Sequence, residues 1–330
     1  MAADVLEVIE PGALSTIQDG GRAATGLGVP PGGACDMTAW RALEALVGGA
    51  ATVEMTLLGA TFAVRETCVI GVTGADFQGQ VVEEGRPVRP GTTVLVHTGT
   101  TLRFGGGLDG ARAYLSLAGG IDVPEVLGSR STCLAGGFGG IDGRPLRVGD
   151  VLRAIDPGRL DLAGREHRGP VSGALPAPGV SVLRVVLGPH ISHVGSPVLD
   201  ALLGTEWRVD PRSDRMGLRL EGVRIPEAGP MAGRETGELL SLPMVQGAVQ
   251  LPPGGAPMVL LADHQTVGGY PVPLVVASVD LPRLAQLRPA DRLRFEGITH
   301  DDAFRLCMAE REASRHAAAR FGRALTEGPA

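Results

Sequence analysis

The sequence predicts a mainly-β protein made of two strand-rich domains of barrel or sandwich type, with a few short helices and a helix at the C-terminal end. Three observations predict it. Gly and Pro are abundant, 50 and 25 of 330 residues, and they lie between apolar runs and form no low-complexity block, as tight turns joining short strands require. Short runs rich in Val, Ile, Leu and Thr recur through both halves of the chain. Helical periodicity, by contrast, is confined to residues 37–47, the vicinity of 198–203, and 301–326.

Taken in order, Val5 and Ile9 before Pro11-Gly12 read as a strand and turn, and Gln18-Asp19-Gly20-Gly21-Arg22 as a polar loop hinged on glycine. Asp36 is a good N-cap for a helix over Met37 to Val47, and Gly48-Gly49 ends it. From Val53 to Leu152 the runs at 69–72, 93–96, 113–117 and 150–152 are strands at barrel or sandwich spacing. Periodicity is lost from Asp156 to Gly179, where Gly, Pro, Arg and Ser gather. The expected domains are therefore 1–160 and 181–300, joined by a linker over 161–180, with residues 301–330 as a terminal helix. The second domain opens on the strand Leu183 to Leu187 and carries a short apolar helix near Val198 to Leu203. The last helix, Asp301 to Thr326, sets Phe304, Met308 and Phe321 on one side, and packing on the preceding domain is the simpler account of them than partner docking. The segment from Tyr114 to Pro124 is echoed at 260–271, and Arg147 to Leu152 at 288–293, as two related barrels would produce.

Composition excludes several functions. A net charge of −6 with 3% aromatic residues supplies neither the basic footprint nor the stacking groups of a nucleic-acid binder. The chain holds no lysine and no asparagine, which removes P-loop and Schiff-base lysines and N-glycosylation. Cys35, Cys68, Cys133 and Cys307 never approach CxxC spacing, so neither a zinc knuckle nor a disulfide framework is indicated. The first ten residues lack a signal-peptide pattern, and no run reaches membrane-spanning length, so the expectation is a soluble cytoplasmic protein without a membrane partner.

Gly105 to Gly110 matches GxGxxG but leads into a strand, so a hairpin turn explains it better than a phosphate site. His190 and His193 have no carboxylate or cysteine near them in sequence to complete a metal set, and no metal site is expected. Four polar clusters set in glycine-rich backbone carry more: Gln18, Asp19, Arg22; Thr73 to Asp76; Arg212, Ser213, Asp214, Arg215; and Asp263, His264, Gln265, Thr266. Arginine forks hold carboxylate or phosphate at two points, and aspartates orient proton transfer or Mg²⁺, so an anionic small ligand is one reading. Surface turns and Arg–Asp pairs that hold barrels together are the equal alternative.

The same segments resemble the family that includes the C-type subunit of 5-oxoprolinase, the KipA protein, allophanate hydrolase subunit 2 and the carboxyltransferase region of urea carboxylase. The strings Ser15 to Arg22, Gly28-Val29-Pro30 to Asp36, Glu54-Met55-Thr56, Thr73 to Asp76, Ala118 to Pro124, Leu127 to Thr132, Pro211 to Gly217, Gln250 to Pro253 and Leu261 to Pro271 carry it from about Val5 to Phe295. The resemblance implies two cyclophilin-like β-barrel domains and an ATP-dependent 5-oxoprolinase that converts 5-oxoproline to glutamate. It implies two partner polypeptides, one KipI-like (B-type) and one LamB/YcsF-like (A-type), and ATP with Mg²⁺ as cofactors. Residues expected to hold carboxylate or phosphate are Arg22, Arg212 and Arg215. Asp76 and Asp263 are expected to orient Mg²⁺ or a proton transfer, which makes Asp76, Asp263 and Arg215 the catalytic candidates. Gln18 and Gln265 are expected to position substrate, with Asp19, Asp36, Glu54, Arg130, Asp214, Gln250 and Tyr270 as further binding candidates. Gly32 stands where relatives commonly have Ser, Cys35 where they have Met, and Val272 where many have Lys. Two other functions fit the resemblance: a biotin-dependent carboxyltransferase acting on urea or another amide, with biotin on a separate carrier, and a KipA-type regulator that sequesters a kinase inhibitor.

Overall fold

The structure, a computed structural model, describes residues 2–173, 175, 179–225 and 239–326, with side chains of the last helix as far as residue 313. The chain divides into two compact units: Met1–Ala23, Gly32–Ala174 and Arg311–Ala330 form one, and Ala24–Pro31 with Leu175–Glu310 the other.

The first unit contains β1 (Ala3–Glu10), β2 (Leu14–Gln18), α1 (Met37–Val47), β3 (Thr52–Thr56), β4 (Thr61–Val64), β5 (Cys68–Gly74), β6 (Gly79–Val81), β7 (Arg86–Val88), β8 (Thr92–Val96), β9 (Thr101–Arg103), β10 (Arg112–Leu117) and β11 (Val151–Ala154). Its strands form a six-stranded sheet, β11-β1-β4-β9-β6-β7, and a five-stranded sheet, β2-β3-β10-β5-β8. One apolar core joins the two sheets: Val5, Val8, Phe62 and Leu102 from the first meet Ile17, Val53, Met55, Ile70, Val72 and Leu115 from the second. Alternation along a strand sends neighbouring residues to opposite faces. The other face of the five-stranded sheet therefore carries Thr16, Gln18, Thr52, Glu54, Tyr114, Ser116 and Thr73, and these too are buried.

Helix α1 is part of the cover on that face. Asp36 caps it, its Oδ1 accepting from the N–H groups of Thr38 and Ala39 at 3.0 Å each, and Gly48 closes it in the left-handed region at φ 72°. Ala39, Leu43, Leu46 and Val47 point at the sheet and cluster with the Tyr114 ring. Gly71 of β5 makes the approach possible, because a Cβ there would stand 2.5 Å from Val47 Cγ1 and 2.8 Å from Leu43 Cδ1.

The second unit contains β12 (Val180–Leu187), α2 (Ile191–Val194), α3 (Ser196–Gly204), β13 (Trp207–Val209), β14 (Gly217–Glu221), β15 (Leu242–Pro243), β16 (Ala248–Gln250), β17 (Met258–Leu260), β18 (Val267–Gly268), β19 (Leu274–Val276), α4 (Leu281–Gln286) and β20 (Arg292–Gly297). Seven strands close into a barrel in the order β12-β19-β16-β17-β14-β13-β20, with the parallel pairing of β12 and β20 completing the ring. Trp207, Leu183, Val259, Leu274 and Leu293 fill it, and Val198 and Leu202 of α3 join the same core. The terminal helix, α5, runs His300–Thr326; Phe304 and Met308 are exposed on it, and Phe321 lies beyond the described side chains.

The mainly-β architecture agrees with the sequence. Strand closure into a ring, expected in both domains, is found in the second unit, whereas the strands of the first are shared between two sheets. The segment read as a linker over 161–180 also differs. Over residues 161–173 it is bonded along the edge strand β8 and its neighbour: Thr93 Oγ1 donates to the Leu162 carbonyl at 2.5 Å, Thr93 N to Arg165 O at 3.0 Å, and Gly74 N to Val171 O at 2.7 Å. A sheet edge offers unpaired amides and carbonyls, and an irregular strip rich in Gly and Pro satisfies them as well as a regular strand would. Residues 174 and 176–178 of the expected linker, and 327–330 of the expected terminal helix, lie outside the described residues.

Candidate functional site

The loop after β2 is organised by Asp19. Its Oδ1 accepts from Gly21 N at 2.8 Å, Ser129 Oγ at 2.6 Å and Ser131 Oγ at 2.5 Å, and its Oδ2 accepts from Arg130 N at 2.6 Å. Four donors saturate the carboxylate and tie two segments more than a hundred residues apart. Arg130 joins through its backbone, while its guanidinium turns to the Val123 carbonyl and to Glu125.

Arg22 sits beside this knot with no carboxylate partner among the described residues. It is buried, at 5% exposure; Nη2 donates to the Ser131 carbonyl, and the guanidinium lies 5.1 Å from the centre of the Phe138 ring. Its Nε and Nη1 have no hydrogen-bond partner among the described residues. Two glycines wall it in: a Cβ on Gly32 would be 3.1 Å from Nη1, and one on Gly139 would be 3.3 Å from Nη2. Other buried oxygens in the same unit are likewise unpartnered among the described residues: Gln18 Oε1, Thr52 Oγ1 directly across from it on β3, and Thr132 Oγ1. Gln18 Nε2 donates to Thr16 Oγ1 at 2.9 Å.

On the covered sheet face, Glu54 and Asp36 are joined through Tyr114. The phenol donates to Glu54 Oε2 and accepts from Asp36 N, both at 2.8 Å, and Glu54 Oε2 also accepts from Cys35 N. Arg112 Nε lies 3.6 Å from Glu54 Oε1, with both side chains buried. Asp36 Oδ2 accepts from Gly173 N at 2.7 Å. Burial, then the Glu54 and Asp36 charges, pushes the Tyr114 phenol well above its ordinary pKa, so it stays a donor. Asp76 belongs to none of these groups: its Oδ1 accepts from Gln78 N, its N–H donates to Asp109, and it borders a shallow cavity of about 270 Å³.

In the second unit Arg215 and Asp263 form a two-point pair, Nε to Oδ2 at 2.9 Å and Nη2 to Oδ1 at 3.0 Å. The backbones reinforce it, with Asp263 N donating to Arg215 O. Gln265 Nε2 donates to Gln250 Oε1 at 2.9 Å, and Gly268 approaches so closely that a Cβ would meet Gln250 Nε2 at 2.8 Å. Arg212 forks onto Asp210, whose carboxyl is held down to about 2 by the guanidinium hydrogen bond and the Arg212 N–H. Asp214 shapes a turn, accepting from Met216 N and Gly217 N, and Tyr270 is exposed. His190 Nδ1 accepts from Val272 N, and burial and then His193 hold that imidazole below its usual range.

The predicted residues thus gather into local groups. Asp19, Arg22 and Arg130 meet around Ser131; Asp36 and Glu54 around Tyr114; Arg215 with Asp263; and Gln250 with Gln265. Bonds bring neither Asp76, Asp214 nor Tyr270 to them, and Arg212 answers to a residue the sequence did not single out, Asp210. Ser129, Ser131, Phe138, Arg112 and Tyr114 were also not singled out, although the string from Leu127 to Thr132 holds two of them. Among the described residues no group of three or more His, Cys, Asp or Glu could hold a metal ion. The two aspartates expected to orient Mg²⁺ are otherwise engaged, Asp263 with Arg215 and Asp76 in its turn, so Mg²⁺ does not fit this set.

Comparison with known proteins places these groups in context. Residues 27–297 match the family described as carboxyltransferase domain, subdomain A and B. The chain is 33% identical to the C-type subunit of 5-oxoprolinase from Escherichia coli, covering 91% of this chain and 94% of that protein. It is 32% identical to urea amidolyase of Lachancea kluyveri, covering 91% of this chain but 17% of that protein. Among solved structures, TTHA0988 superposes with a TM-score of 0.76 at 35% identity, over 89% of this chain and 56% of that one. The urea amidolyase of K. lactis superposes with a TM-score of 0.82 at 29% identity, over 97% of this chain and 20% of that one.

Proposed function

Because the chain belongs to the carboxyltransferase domain family, subdomain A and B, we propose that it is the C-type subunit of an ATP-dependent 5-oxoprolinase. The assembled enzyme would open the lactam of 5-oxoproline, with water and ATP consumed and glutamate, ADP and phosphate formed. One observation carries this reading over the others: similarity extends over 94% of the C-type 5-oxoprolinase polypeptide, while the urea amidolyase match is a 17% portion of a much larger chain. The partners we propose are a KipI-like (B-type) polypeptide and a LamB/YcsF-like (A-type) polypeptide.

In this reading the chain binds and orients. Arg22 and Gln18, in the first unit, are the groups we assign to substrate. Arg215 and Asp263 pair at two points, and we assign that pair to holding the barrel. ATP, with its Mg²⁺, is proposed to be handled with the partner polypeptides; among the described residues of this chain no group of three or more His, Cys, Asp or Glu could hold a metal ion.

A second reading is favoured by the higher TM-score of the urea amidolyase structure, 0.82: a carboxyltransferase component acting on urea or another amide. With no lysine in this chain, biotin would have to ride on a separate carrier. Both readings are tested by combining the purified chain with its partners, ATP and 5-oxoproline and measuring glutamate. The proposal expects glutamate from the full set and none from this chain alone. No glutamate from the full set, with turnover of urea in the presence of a biotinylated carrier, would replace it by the second reading.

A further inference from the structure

We propose that Arg22 is a receptor for the carboxylate of a small ligand, covered by the glycine-rich loop 136–143. The site stands on geometry alone; naming the ligand as 5-oxoproline rests on the function proposed above.

A buried guanidinium has five N–H groups to satisfy and a full charge to balance. Arg22 is 5% exposed, and its hydrogen bonding among the described residues goes to a single uncharged carbonyl, that of Ser131. Its contact with the Phe138 ring supplies no hydrogen bond to the N–H groups, and Nε and Nη1 are buried and unpartnered among the described residues. The nearby carboxylate, Asp19, is turned away: serine hydroxyls and backbone amides fill it, and none of its bonds comes from Arg22. The chain elsewhere pairs buried arginine directly with aspartate, as Arg215 with Asp263, so the separation here is particular to this site.

The walls suit a ligand that comes close to the backbone. Gly32, at φ 61°, and Gly139, at φ 74°, lie against Nη1 and Nη2 with no side chain between. Phe138 and Gly139 belong to a loop in which Gly136, Gly137, Gly139, Gly140 and Gly143 occur within eight residues. Residues 137–143 of that loop also line a cavity of about 450 Å³. The charge selects a monoanion: Arg22 brings one positive charge, and the neighbouring Arg130 guanidinium is already committed to Glu125. A carboxylate balances that charge, whereas a dianionic phosphate leaves one buried negative charge over.

The test measures binding by calorimetry to the purified chain, alone and with its KipI-like partner, using 5-oxoproline, the neutral lactam 2-pyrrolidinone, and inorganic phosphate. The proposal expects 5-oxoproline to bind and 2-pyrrolidinone, which lacks the carboxylate, to bind about ten- to a hundredfold more weakly, as loss of a charged hydrogen-bonded contact implies. Equal binding of the two lactams, binding of phosphate in preference, or no binding at all overturns it. Arg22→Met separates a ligand-holding arginine from a structural one. The substitution should abolish carboxylate selectivity while leaving the thermal midpoint unchanged or raised, since it removes a buried charge that has no counter-ion among the described residues. A large fall in midpoint with selectivity retained assigns Arg22 to structure. Glutamate production with Arg22→Met unimpaired would sink this inference and spare the proposed function; carboxylate binding lost in Arg22→Met, with no glutamate from the wild-type complex, would do the reverse.

Discussion

Two arginine–aspartate pairs in the second unit look alike in sequence and differ physically. Arg215 is buried at 3% side-chain exposure and meets Asp263 at two points, so Arg215→Ala leaves a carboxylate stranded at 13% exposure. The expected loss is about 3–5 kcal/mol of folding stability, read from urea denaturation, and the double replacement Arg215→Met with Asp263→Leu should recover most of it. Arg212 instead reaches out, 79% exposed, to Asp210, whose carboxyl it holds down to about 2. With the folded value below the unfolded one of about 3.9, this contribution to stability is complete above the unfolded value and is lost as pH falls through about 2. A carbon-detected NMR titration of Asp210 should follow that low value, and in Arg212→Ala the carboxyl should return toward the ordinary range.

At the scale of elements, helix α1 and the sheet beneath it are fitted through a few positions. Asp36 caps the helix with one oxygen and holds Gly173 N with the other, so Asp36→Ala should cost about 1–2 kcal/mol for the cap and more for the abandoned buried amide. Gly71→Ala should cost about 1–3 kcal/mol by pushing a methyl group into Val47 and Leu43, and hydrogen exchange in α1 should accelerate before that in β1. The helix was legible from Asp36, the apolar spacing and Gly48, because capping and amphipathicity are local. Its role was not. Thr16, Gln18, Glu54 and Tyr114 alternate with apolar residues as in a strand with one wet face, and only the covering segments turn that face into a buried polar layer.

For the molecule as a whole, an excess of acidic residues gives a net charge of −6 and an isoelectric point near 5.7. Solubility should pass through a minimum close to that pH and rise on either side, as light scattering would register. Among the described residues no helix is long and apolar enough to cross a membrane. The closed ring in the second unit, against the pair of sheets in the first, lay beyond the sequence pattern: closure depends on β20 running parallel beside β12, more than a hundred residues away. Runs of similar length and composition serve either arrangement.

By itself the sequence determined the strand-rich class, the capped helix, the polar loops and the family, because turn chemistry, periodicity and long ordered strings are written in neighbouring residues. Tertiary structure alone decided which charges meet. It gave Asp263 to Arg215, filled Asp19 with serines, laid residues 161–173 along a sheet edge, and left Arg22 buried with no counter-charge among the described residues. The physical reason is range: a hydrogen bond acts over about 3 Å, and these partners stand from 48 to 112 positions apart in the chain.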